Sequence, residues 1–488
     1  MKIFKLLFLS FLVASITLSC SKDADDIGPS PPIPGERNLV VENFIYRGLN
    51  DVYLYKADVP VLADNYFSSQ VERNDFLDNY ATPEDLFKNG LKSPQDRFSF
   101  LIDDYIELEN MLSGISTTSG MDFGVSVYPN DDSKVLGYVR YVLPNTSASE
   151  NGVDRGMIFN RINGEYLTRN NYRTLIALPN LTIGLARIEN GGNVIDIDQT
   201  ITLRQAEYTE NPVYIAKTFE FDGEKVGYLM YNSFTNEFDS ELNAAFAKFK
   251  GEAITNLILD LRYNGGGSVE TASDLASMIT GQFEGQVFAK QRWNEKYQRL
   301  FEENNPQRLL NLFNNKIWNG ENINSLNLNK VYIIATGSSA SASELVINGL
   351  KAHIDVVHVG TNTVGKFQGS IPIYDAPNFD RDSPSLNTTH TYAMLPLVLT
   401  LVNANGVGDY TSGLTPDVMV IEYVNEFAPL GDLSEPLLSA ALDHISGNRR
   451  SYRTEESPFK MISESGAGNL DYQKMYIDKI PDLIDKEK

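Results

Sequence analysis

The chain has 488 residues, which is more than one ordinary hydrophobic core accommodates, so two or three domains are expected. Its composition is that of a globular protein, with 42% hydrophobic and 22% charged residues. The formal net charge of −23 argues against a nucleic-acid partner, because a phosphate backbone is bound by basic patches. The simplest interpretation of this charge is that it keeps the protein soluble.

The first twenty residues have the pattern of an export signal. Lys2 and Lys5 precede an apolar run that ends near Ile16 and is too short for a comfortable membrane-spanning helix. The run leads to Cys20, the only cysteine, so no disulfide can form within the chain. A lone cysteine at this place resembles the acylation site of a bacterial lipoprotein, which predicts a signal peptide over residues 1–19 and lipidation of Cys20. The alternative is a removed signal peptide followed by an incidental cysteine.

Residues 20–38 form a predicted linker. The acidic stretch SKDADD after Cys20 is similar to the surface-export tag of some Gram-negative lipoproteins. Four prolines between residues 27 and 36 favour an extended spacer. We therefore expect a folded body that a lipid anchor holds in the cell envelope of a Gram-negative bacterium. As an outer-membrane lipoprotein, it would face either the periplasm or the exterior.

Two folded regions are expected next. Residues 39–112 carry apolar residues at helical spacing and a capping box that begins at Thr82, which predicts a small helical domain. Residues 113–208 change to short alternating strands. They include Asn163-Gly164, a pair that suits the two positive-φ positions of a type I′ hairpin turn. A β-rich domain of about one hundred residues is therefore predicted.

Residues 209–445 alternate strand-like and helix-like segments, which indicates an α/β layer on a largely parallel sheet. Ligand sites of such sheets gather at the carboxyl ends of the strands. Two turns fall at such ends: RYNGGGS after NLILDL, and GSSASAS after VYIIA. The polar residues 446–488 predict a loosely ordered C-terminal tail.

Four serines within six residues, at positions 338, 339, 341 and 343, raise the question of a nucleophile. The α/β-hydrolase pattern Gly-x-Ser-x-Gly is absent at each of them. A Ser-x-x-Lys pair is absent too, because Glu344 stands three residues after Ser341. His353 and His358 follow in the next helix and strand, and structural roles are the simpler interpretation of both. The serines could equally form a turn that caps a helix, with Ser343 as the cap.

A lysine remains as the candidate base. Lys366 follows the apolar stretch VVHV in a glycine-containing loop near the same sheet edge. A lysine accepts a proton at neutral pH only where burial or a nearby cation lowers its pKa, and spacing alone leaves a solvated lysine as the default. The surrounding GTNTVGKF matches a phosphate-binding loop except at Phe367, and no helix signal follows, so a nucleotide site is disfavoured.

Several ordered motifs resemble those of peptidase family S41, the carboxyl-terminal processing proteases. SSASASELVINGLK is similar to the family's Ser-Ala-Ser-Ala-Ser-Glu signature, whose middle serine is the nucleophile and corresponds to Ser341. The family's catalytic lysine corresponds to Lys366, 25 residues further along. LILDLRYNGGGS, YLMYNSF and SGLTPDV resemble further family segments, and the resemblance covers roughly residues 40–445.

The resemblance implies a serine endopeptidase with an α/β protease core, mostly parallel sheet with helices. A small helical N-terminal domain and a PDZ-like β-rich domain would precede that core. It assigns Ser341 as nucleophile and Lys366 as general base. It also assigns the amide of Ala342, with that of Gly266 or Gly267, as the donors that stabilise the oxyanion. This chemistry needs neither a metal nor an organic cofactor.

One position departs from the family pattern. Many members carry a glutamine four residues after the lysine, where this chain has Ser370. We expect Gln368 or Ser370 to take over the orientation of Lys366.

The β-rich region resembles a PDZ-like domain in DFGVSV and GMIFNRINGEYL. The resemblance implies that a peptide end is bound by strand addition, with Phe123, Gly124 and Val125 near a carboxylate-binding turn. The expected partners are unstructured protein tails or misfolded chains outside the cytoplasm, and the sequence leaves the oligomeric state open. The alternative is a non-catalytic peptide- or lipid-binding surface protein on the same fold, although such a protein has no need of Ser341 and Lys366.

Overall fold

The computed structural model describes residues 37–189, 191–448, 450–469 and 472–478. The predicted signal peptide (1–19), Cys20 and the linker up to residue 36 lie outside the described residues. Within the described ranges, no helix has the length and apolar character needed to cross a membrane.

Helices and strands alternate through most of the described chain. The α-helices are α1 (Val40–Val52), α2 (Gln70–Leu77), α3 (Pro83–Asp85), α4 (Tyr105–Leu112), α5 (Ser147–Glu150), α6 (Tyr172–Ile176), α7 (Asp239–Gly251), α8 (Val269–Thr280), α9 (Glu295–Asn304), α10 (Ala342–Leu350) and α11 (Pro436–Ile445). The strands as far as the α/β region are β1 (Phe100–Ile102), β2 (Ile115–Thr118), β3 (Met121–Tyr128), β4 (Asp131–Val142), β5 (Ile158–Ile162), β6 (Glu165–Tyr166), β7 (Asn180–Ile188), β8 (Val194–Arg204) and β9 (Ala206–Thr209). The later strands are β10 (Val213–Phe221), β11 (Glu224–Tyr231), β12 (Asn256–Asp260), β13 (Gly267–Ser268), β14 (Val287–Trp293), β15 (Leu310–Leu312), β16 (Lys330–Ala335), β17 (Asp355–Gly360), β18 (Gln368–Ser370), β19 (Ile373–Tyr374), β20 (Ala393–Leu395), β21 (Leu397–Asn403), β22 (Val418–Met419), β23 (Met461–Glu464) and β24 (Met475–Tyr476).

The N-terminal region is helical, as predicted, but it has no core of its own. Helix α1 buries Phe44, Ile45 and Leu49 in the same hydrophobic cluster as the side chains of the α/β region. Gly48 lies so close to that region that a Cβ atom built on it would come within 2.6 Å of Ile373. The N-terminal region therefore packs as part of the α/β unit.

The β-rich region is an antiparallel sheet in the order β23-β3-β4-β5-β7-β8, with β6 paired to β5. Its apolar side chains form a separate cluster that includes Val125, Phe159 and Ile183. The predicted hairpin is confirmed: Ile162 pairs with Glu165, and Asn163 and Gly164 both have positive φ (52° and 82°).

The α/β region is built on a six-stranded sheet in the order β10-β11-β12-β16-β17-β22, in which every pair except β10 with β11 is parallel. A second six-stranded sheet has the order β13-β24-β18-β21-β14-β15, and α10 packs between the two against α8 and β21. The predicted fold class, an α/β core of mostly parallel sheet behind a helical region and a β-rich region, is confirmed.

The C-terminal tail differs from the prediction. Residues 446–488 were expected to be loosely ordered, yet β23 pairs with β3, and β24 lies between β13 and β18. The polar composition gave no sign of this because the strands are short, and each is stabilised by the edge of a distant strand rather than by its own sequence.

Candidate active site

Three loops meet at the carboxyl edge of the parallel sheet. Strands β12, β16 and β17 are neighbours, with Asp260 opposite Ile334 and Ala335 opposite Gly360. Their ends lead into the glycine turn (residues 264–267), the serine loop (residues 336–341) and the lysine loop (residues 361–367) respectively. The sheet register thus brings together three motifs that are up to about one hundred residues apart in sequence.

Ser341 lies between the serine loop and α10 in a strained backbone conformation. Its φ is 60° and its ψ −114°, a region that costs a non-glycine residue on the order of 1–3 kcal/mol. Its side chain is buried, and its amide donates to Glu344 Oε2 at 2.8 Å. Ala342, the first residue of α10, contributes one of the amides that a helix N-terminus leaves without an intrahelical acceptor.

Glu344 ties the serine loop to the lysine loop. Its Oε2 accepts from the amides of Ser341 and Lys366, both at 2.8 Å, and its Oε1 accepts from the amide of Gly365 at 2.7 Å and from the hydroxyl of Thr363. Burial raises the pKa of this carboxyl, and these hydrogen bonds oppose that effect. Glu344 is a site residue that the sequence motifs did not predict. Its place at the end of the Ser-Ala-Ser-Ala-Ser-Glu stretch was the available signal.

Replacing Glu344 by glutamine is expected to lower kcat/KM for an unfolded peptide by about 10²-fold with the fold retained, because an amide nitrogen would face two donors and the loops would shift. Glu241→Gln is the matched control, since Glu241 is also the third residue of a helix but is exposed. Steady-state kinetics and thermal unfolding test both variants. A Glu344→Gln protein as active as the control would contradict the positioning role.

Lys366 is fully buried. Its Nζ lies 4.8 Å from the ring centroid of Phe98. Burial lowers the pKa of the amine well below its ordinary value. The charge of Lys474 lowers it further, while the carboxylates of Asp96 and Glu344 oppose the shift. The site therefore favours a neutral amine, which can accept a proton.

Ser341 and Lys366 converge on a single atom. Ser341 Oγ and Lys366 Nζ both donate to the main-chain oxygen of Gln473, at 3.1 and 2.8 Å. The structure does not bring Gln368 to the lysine amine: its amide nitrogen donates to the Tyr55 hydroxyl at 3.3 Å. The hydroxyl of Ser370 has no hydrogen-bond partner among the described residues. The Phe98 ring packs against the lysine amine, and Glu344 holds the backbone of Lys366 through its amide.

The other serines have structural partners. Ser339 Oγ donates to the main-chain oxygen of Leu261 at 2.7 Å, and Ser343 Oγ donates to that of Asn264 at 3.0 Å, so Ser343 does not cap α10. Ser338 Oγ donates to Glu464 at 2.7 Å. Only Ser341 shares an acceptor with the lysine.

The glycine turn lies directly against the serine. A Cβ atom built on Gly266 would come within 2.5 Å of the Ser341 Cβ, and one on Gly267 within 2.1 Å of the Phe234 oxygen. Both glycines also have positive φ, 113° and 136°, so the backbone conformation as well as the lack of space disfavours any side chain at these positions. The amide of Gly266 donates to Asn264 Oδ1 at 2.8 Å, which fixes the turn next to the expected oxyanion position.

A buried charge network supports this turn from below. Arg262 is 0% exposed, and its guanidinium binds Asp260 at 2.6 Å, Glu435 at 2.7 Å and Glu422 at 2.9 Å. The Arg262 oxygen accepts from the hydroxyl of Thr336 in the serine loop. The network therefore joins the two loops beneath the site.

Replacing Arg262 by methionine is expected to lower the free energy of unfolding by about 3–5 kcal/mol, because Asp260 and Glu435 would be left as buried, unpaired carboxylates. Arg299→Met breaks an exposed pair with Glu295 and should cost less than about 1 kcal/mol. Urea unfolding of both variants tests the difference, and equal losses would show that the buried network is not what stabilises the turn.

Phe123, Gly124 and Val125 do not lie at a turn. They stand within β3, with β4 on one side and β23 on the other: Gly124 pairs with Tyr138 and with Glu464. The three residues follow the bend at Gly120, which has a positive φ of 86°, by three to five residues, so their place near a carboxylate-binding turn and their part in peptide binding stay predictions.

Comparison with known proteins relates the α/β region and the N-terminal region of this chain to the same peptidase family. Residues 225–378 match the model of peptidase family S41, and residues 41–100 match that of the peptidase S41 N-terminal domain. A carboxyl-terminal-processing protease of Picosynechococcus sp. is 25% identical over 252 residues, 51% of this chain and 52% of that protein. The chain thus spans about half the length of this curated relative.

The fold is similar to that of solved structures. A protein described as a "putative S41 protease" from Bacteroides fragilis aligns with a TM-score of 0.65 and 24% identity, over 86% of this chain and 100% of that chain. The photosystem II D1 C-terminal processing protease aligns with a TM-score of 0.49 and 17% identity, over 80% of this chain and 94% of that chain. The first likeness supports the fold of nearly the whole described chain.

Proposed function

Because the chain belongs to peptidase family S41, we propose that it is a serine endopeptidase with Ser341 as nucleophile and Lys366 as general base. The observation that carries the proposal is the convergence of Ser341 Oγ and a buried Lys366 Nζ on one carbonyl oxygen, 3.1 and 2.8 Å away. A peptide carbonyl is also the group on which a protease acts.

In the proposed reaction, neutral Lys366 takes the hydroxyl proton of Ser341 while Oγ attacks the scissile carbonyl carbon. The tetrahedral intermediate collapses as the C–N bond breaks, and Lys366 gives the proton to the leaving amine. Water then attacks the acyl-enzyme ester with its proton passing to Lys366, and the proton returns to Ser341 as the new carboxyl end leaves.

The oxyanion is assigned to the amide of Ala342 together with that of Gly266 or Gly267; the amide of Gly266 donates to Asn264 Oδ1 in this structure and has to leave that acceptor before it can serve. Each such donor contributes roughly 3–4 kcal/mol of transition-state stabilisation in well-studied enzymes. The N-terminus of α10 adds its dipole at the same point. No metal or organic cofactor takes part in these steps.

The proposed substrates are unstructured protein tails or misfolded chains, bound by strand addition to the β-rich region in the manner of a PDZ domain. The lipoprotein-like start of the sequence supports an exported enzyme that is anchored through Cys20 to the outer membrane of a Gram-negative cell envelope. Cleavage near protein carboxyl ends is proposed by analogy with the carboxyl-terminal-processing protease of Picosynechococcus.

Incubation of the chain without residues 1–20 with an unfolded protein, with cleavage followed by mass spectrometry, tests the proposal. We expect discrete cleavage products and labelling of Ser341 by a fluorophosphonate probe. Peptide binding without cleavage or labelling would instead support a non-catalytic binding protein.

The pH dependence tests the lysine base directly. A base acts when deprotonated, so kcat/KM should rise with pH through the pKa of Lys366, which burial lowers well below that of an exposed lysine. Because the Asp96 carboxylate raises that pKa, Asp96→Asn is expected to move the acidic limb of the profile to lower pH. The side-chain oxygen of an asparagine can still accept from the amides of Phe98 and Ser99, whereas its amide nitrogen would face the hydroxyl of Tyr53, which donates to Asp96 at 2.7 Å. Thermal unfolding of the variant is therefore measured beside its pH profile. A limb that moves to higher pH would exclude Lys366 as the titrating base.

A further inference from the structure

Residues 461–469 and 472–478, here called the C-terminal segment, run from the β-rich region into the catalytic site. We propose that this segment occupies the enzyme's own path for polypeptide substrates and that an extended substrate strand binds where the segment lies. The inference rests on the proposed function and adds to it a built-in occupant that must leave before substrate enters.

The first part of the path is the edge of β3 that faces away from β4. Strand β23 adds to it in antiparallel register, with Met461 opposite Ser126 and Glu464 opposite Gly124. The amide of Val127 donates to the oxygen of Lys460 at 3.0 Å. These are the main-chain contacts of strand addition, which any extended peptide can make.

The second part is a carboxylate anchor between the β-rich region and the serine loop. Glu464 pairs with the buried guanidinium of Arg140, and it accepts from Ser338 Oγ at 2.7 Å and from the hydroxyl of Tyr472 at 2.6 Å. Arg140 also stacks on Tyr263, with Cζ 4.7 Å from the ring centroid. A buried cation that takes its closest carboxylate from the segment holds the segment firmly.

The third part is the catalytic cleft. Strand β24 lies parallel to β13, with Gly267 opposite Met475, and parallel to β18, with Ser370 opposite Tyr476. A Cβ atom on Gly266 would come within 2.5 Å of the Lys474 oxygen. The bare glycine turn and the strand after the lysine thus form a slot for one extended backbone.

The dyad is blocked in this state. Ser341 Oγ donates its proton to the Gln473 oxygen instead of to Lys366, and the lysine amine uses an N–H on the same atom. Attack requires the carbonyl carbon in front of Oγ and the carbonyl oxygen on the oxyanion donors. The segment therefore occupies the cleft without presenting a peptide bond in position for cleavage.

The chain between α11 and β23 gives the segment room to leave. Residues 446–448 and 450–458 form no helix or strand and are mostly exposed. Release then requires the loss of the β23 and β24 pairings, of the Glu464 contacts with Arg140 and Ser338, and of the contacts of Gln473, Met475 and Asp478.

A cut made after folding tests the inference. A recognition site for an unrelated sequence-specific protease is placed in the exposed stretch near Ser451; the protein is folded, cut and washed in mild denaturant. We expect cleavage of an unfolded peptide to rise at least 10-fold, and an added peptide of residues 458–478 to inhibit in competition with substrate. An unchanged rate after the segment has been washed away would overturn the proposal.

A binding measurement separates this inference from the proposed function. In a Ser341→Ala background, a fluorescent peptide of residues 458–478 should bind the cut, washed protein and fail to bind the uncut one, whether or not the enzyme cleaves anything. Equal binding to both forms would contradict occupancy of the path, even if the wild-type protein proves to be a protease.

A point variant covers the case in which the washed protein unfolds. In the full chain, Glu464→Gln weakens the anchor and is expected to raise the basal cleavage rate several-fold and to admit the fluorescent peptide. Glu455→Gln, at an exposed glutamate that pairs with Arg453, is the matched control and should change neither. A lowered rate in Glu464→Gln, with no gain in peptide binding, would show that the segment is a structural part of the site.

Discussion

Replacing Ser341 by alanine is expected to lower kcat/KM for an unfolded peptide by about 10⁴-fold or more, to the background rate. The alanine removes the attacking oxygen, and no other serine of the loop shares an acceptor with Lys366. The variant keeps the Cβ atom and loses one hydrogen bond, so its thermal unfolding should remain close to that of the wild type. Stopped assays with a quenched fluorescent peptide measure the rate.

Ser343→Ala is the control for this prediction. Its hydroxyl is buried and bonded to the Asn264 oxygen, so its loss should cost about 1 kcal/mol of stability and change the rate only a few-fold. If Ser341→Ala kept its activity while Ser343→Ala lost it, the nucleophile would be misassigned.

The catalytic motifs could be predicted from the sequence because each is a local pattern at the end of a strand. Strand and helix alternation placed the glycine turn, the serine loop and the lysine loop at one sheet edge, and the parallel register of β12, β16 and β17 is what such alternation produces. The family resemblance then identified Ser341 and Lys366, at their observed spacing, as a catalytic pair.

The supports of the site could not be predicted, because they depend on contacts across the fold. Glu344 accepts hydrogen bonds from backbone amides of the lysine loop, about twenty residues further along the chain. Its neighbours in the sequence do not indicate that partner. Strands β13 and β24 have two residues each, too few to show a period. The polar composition of the C-terminal tail gave no indication of strands β23 and β24, which form because other strands leave an edge open.

The shared core gives the N-terminal region a part in the chemistry. Phe98, just before β1, covers the Lys366 amine, and Asp96 stands close enough to affect the pKa of that lysine. The boundary predicted at residue 112 separates regions of different secondary structure, while the hydrophobic cluster runs across it. The lysine pocket is therefore completed by residues that precede the predicted boundary.

Replacing Lys366 by methionine is expected to reduce kcat/KM by about 10³-fold or more and to leave the protein as stable as the wild type or more so. Methionine fills the pocket over Phe98 without an amine that must stay neutral, and it cannot accept the Ser341 proton. Kinetics and thermal unfolding on the same preparation measure both effects.

Lys366→Arg separates the effect of losing the proton acceptor from the effect of shortening the side chain. Arginine keeps a long chain and hydrogen-bond donors, but its guanidinium stays charged at every accessible pH, so activity should again be lost. Stability should now fall, because a permanent cation is placed where burial and Lys474 already disfavour one. Activity in the arginine variant would mean that Lys366 acts as a cation that binds the substrate carbonyl, and the proton acceptor would then have to be sought elsewhere in the site.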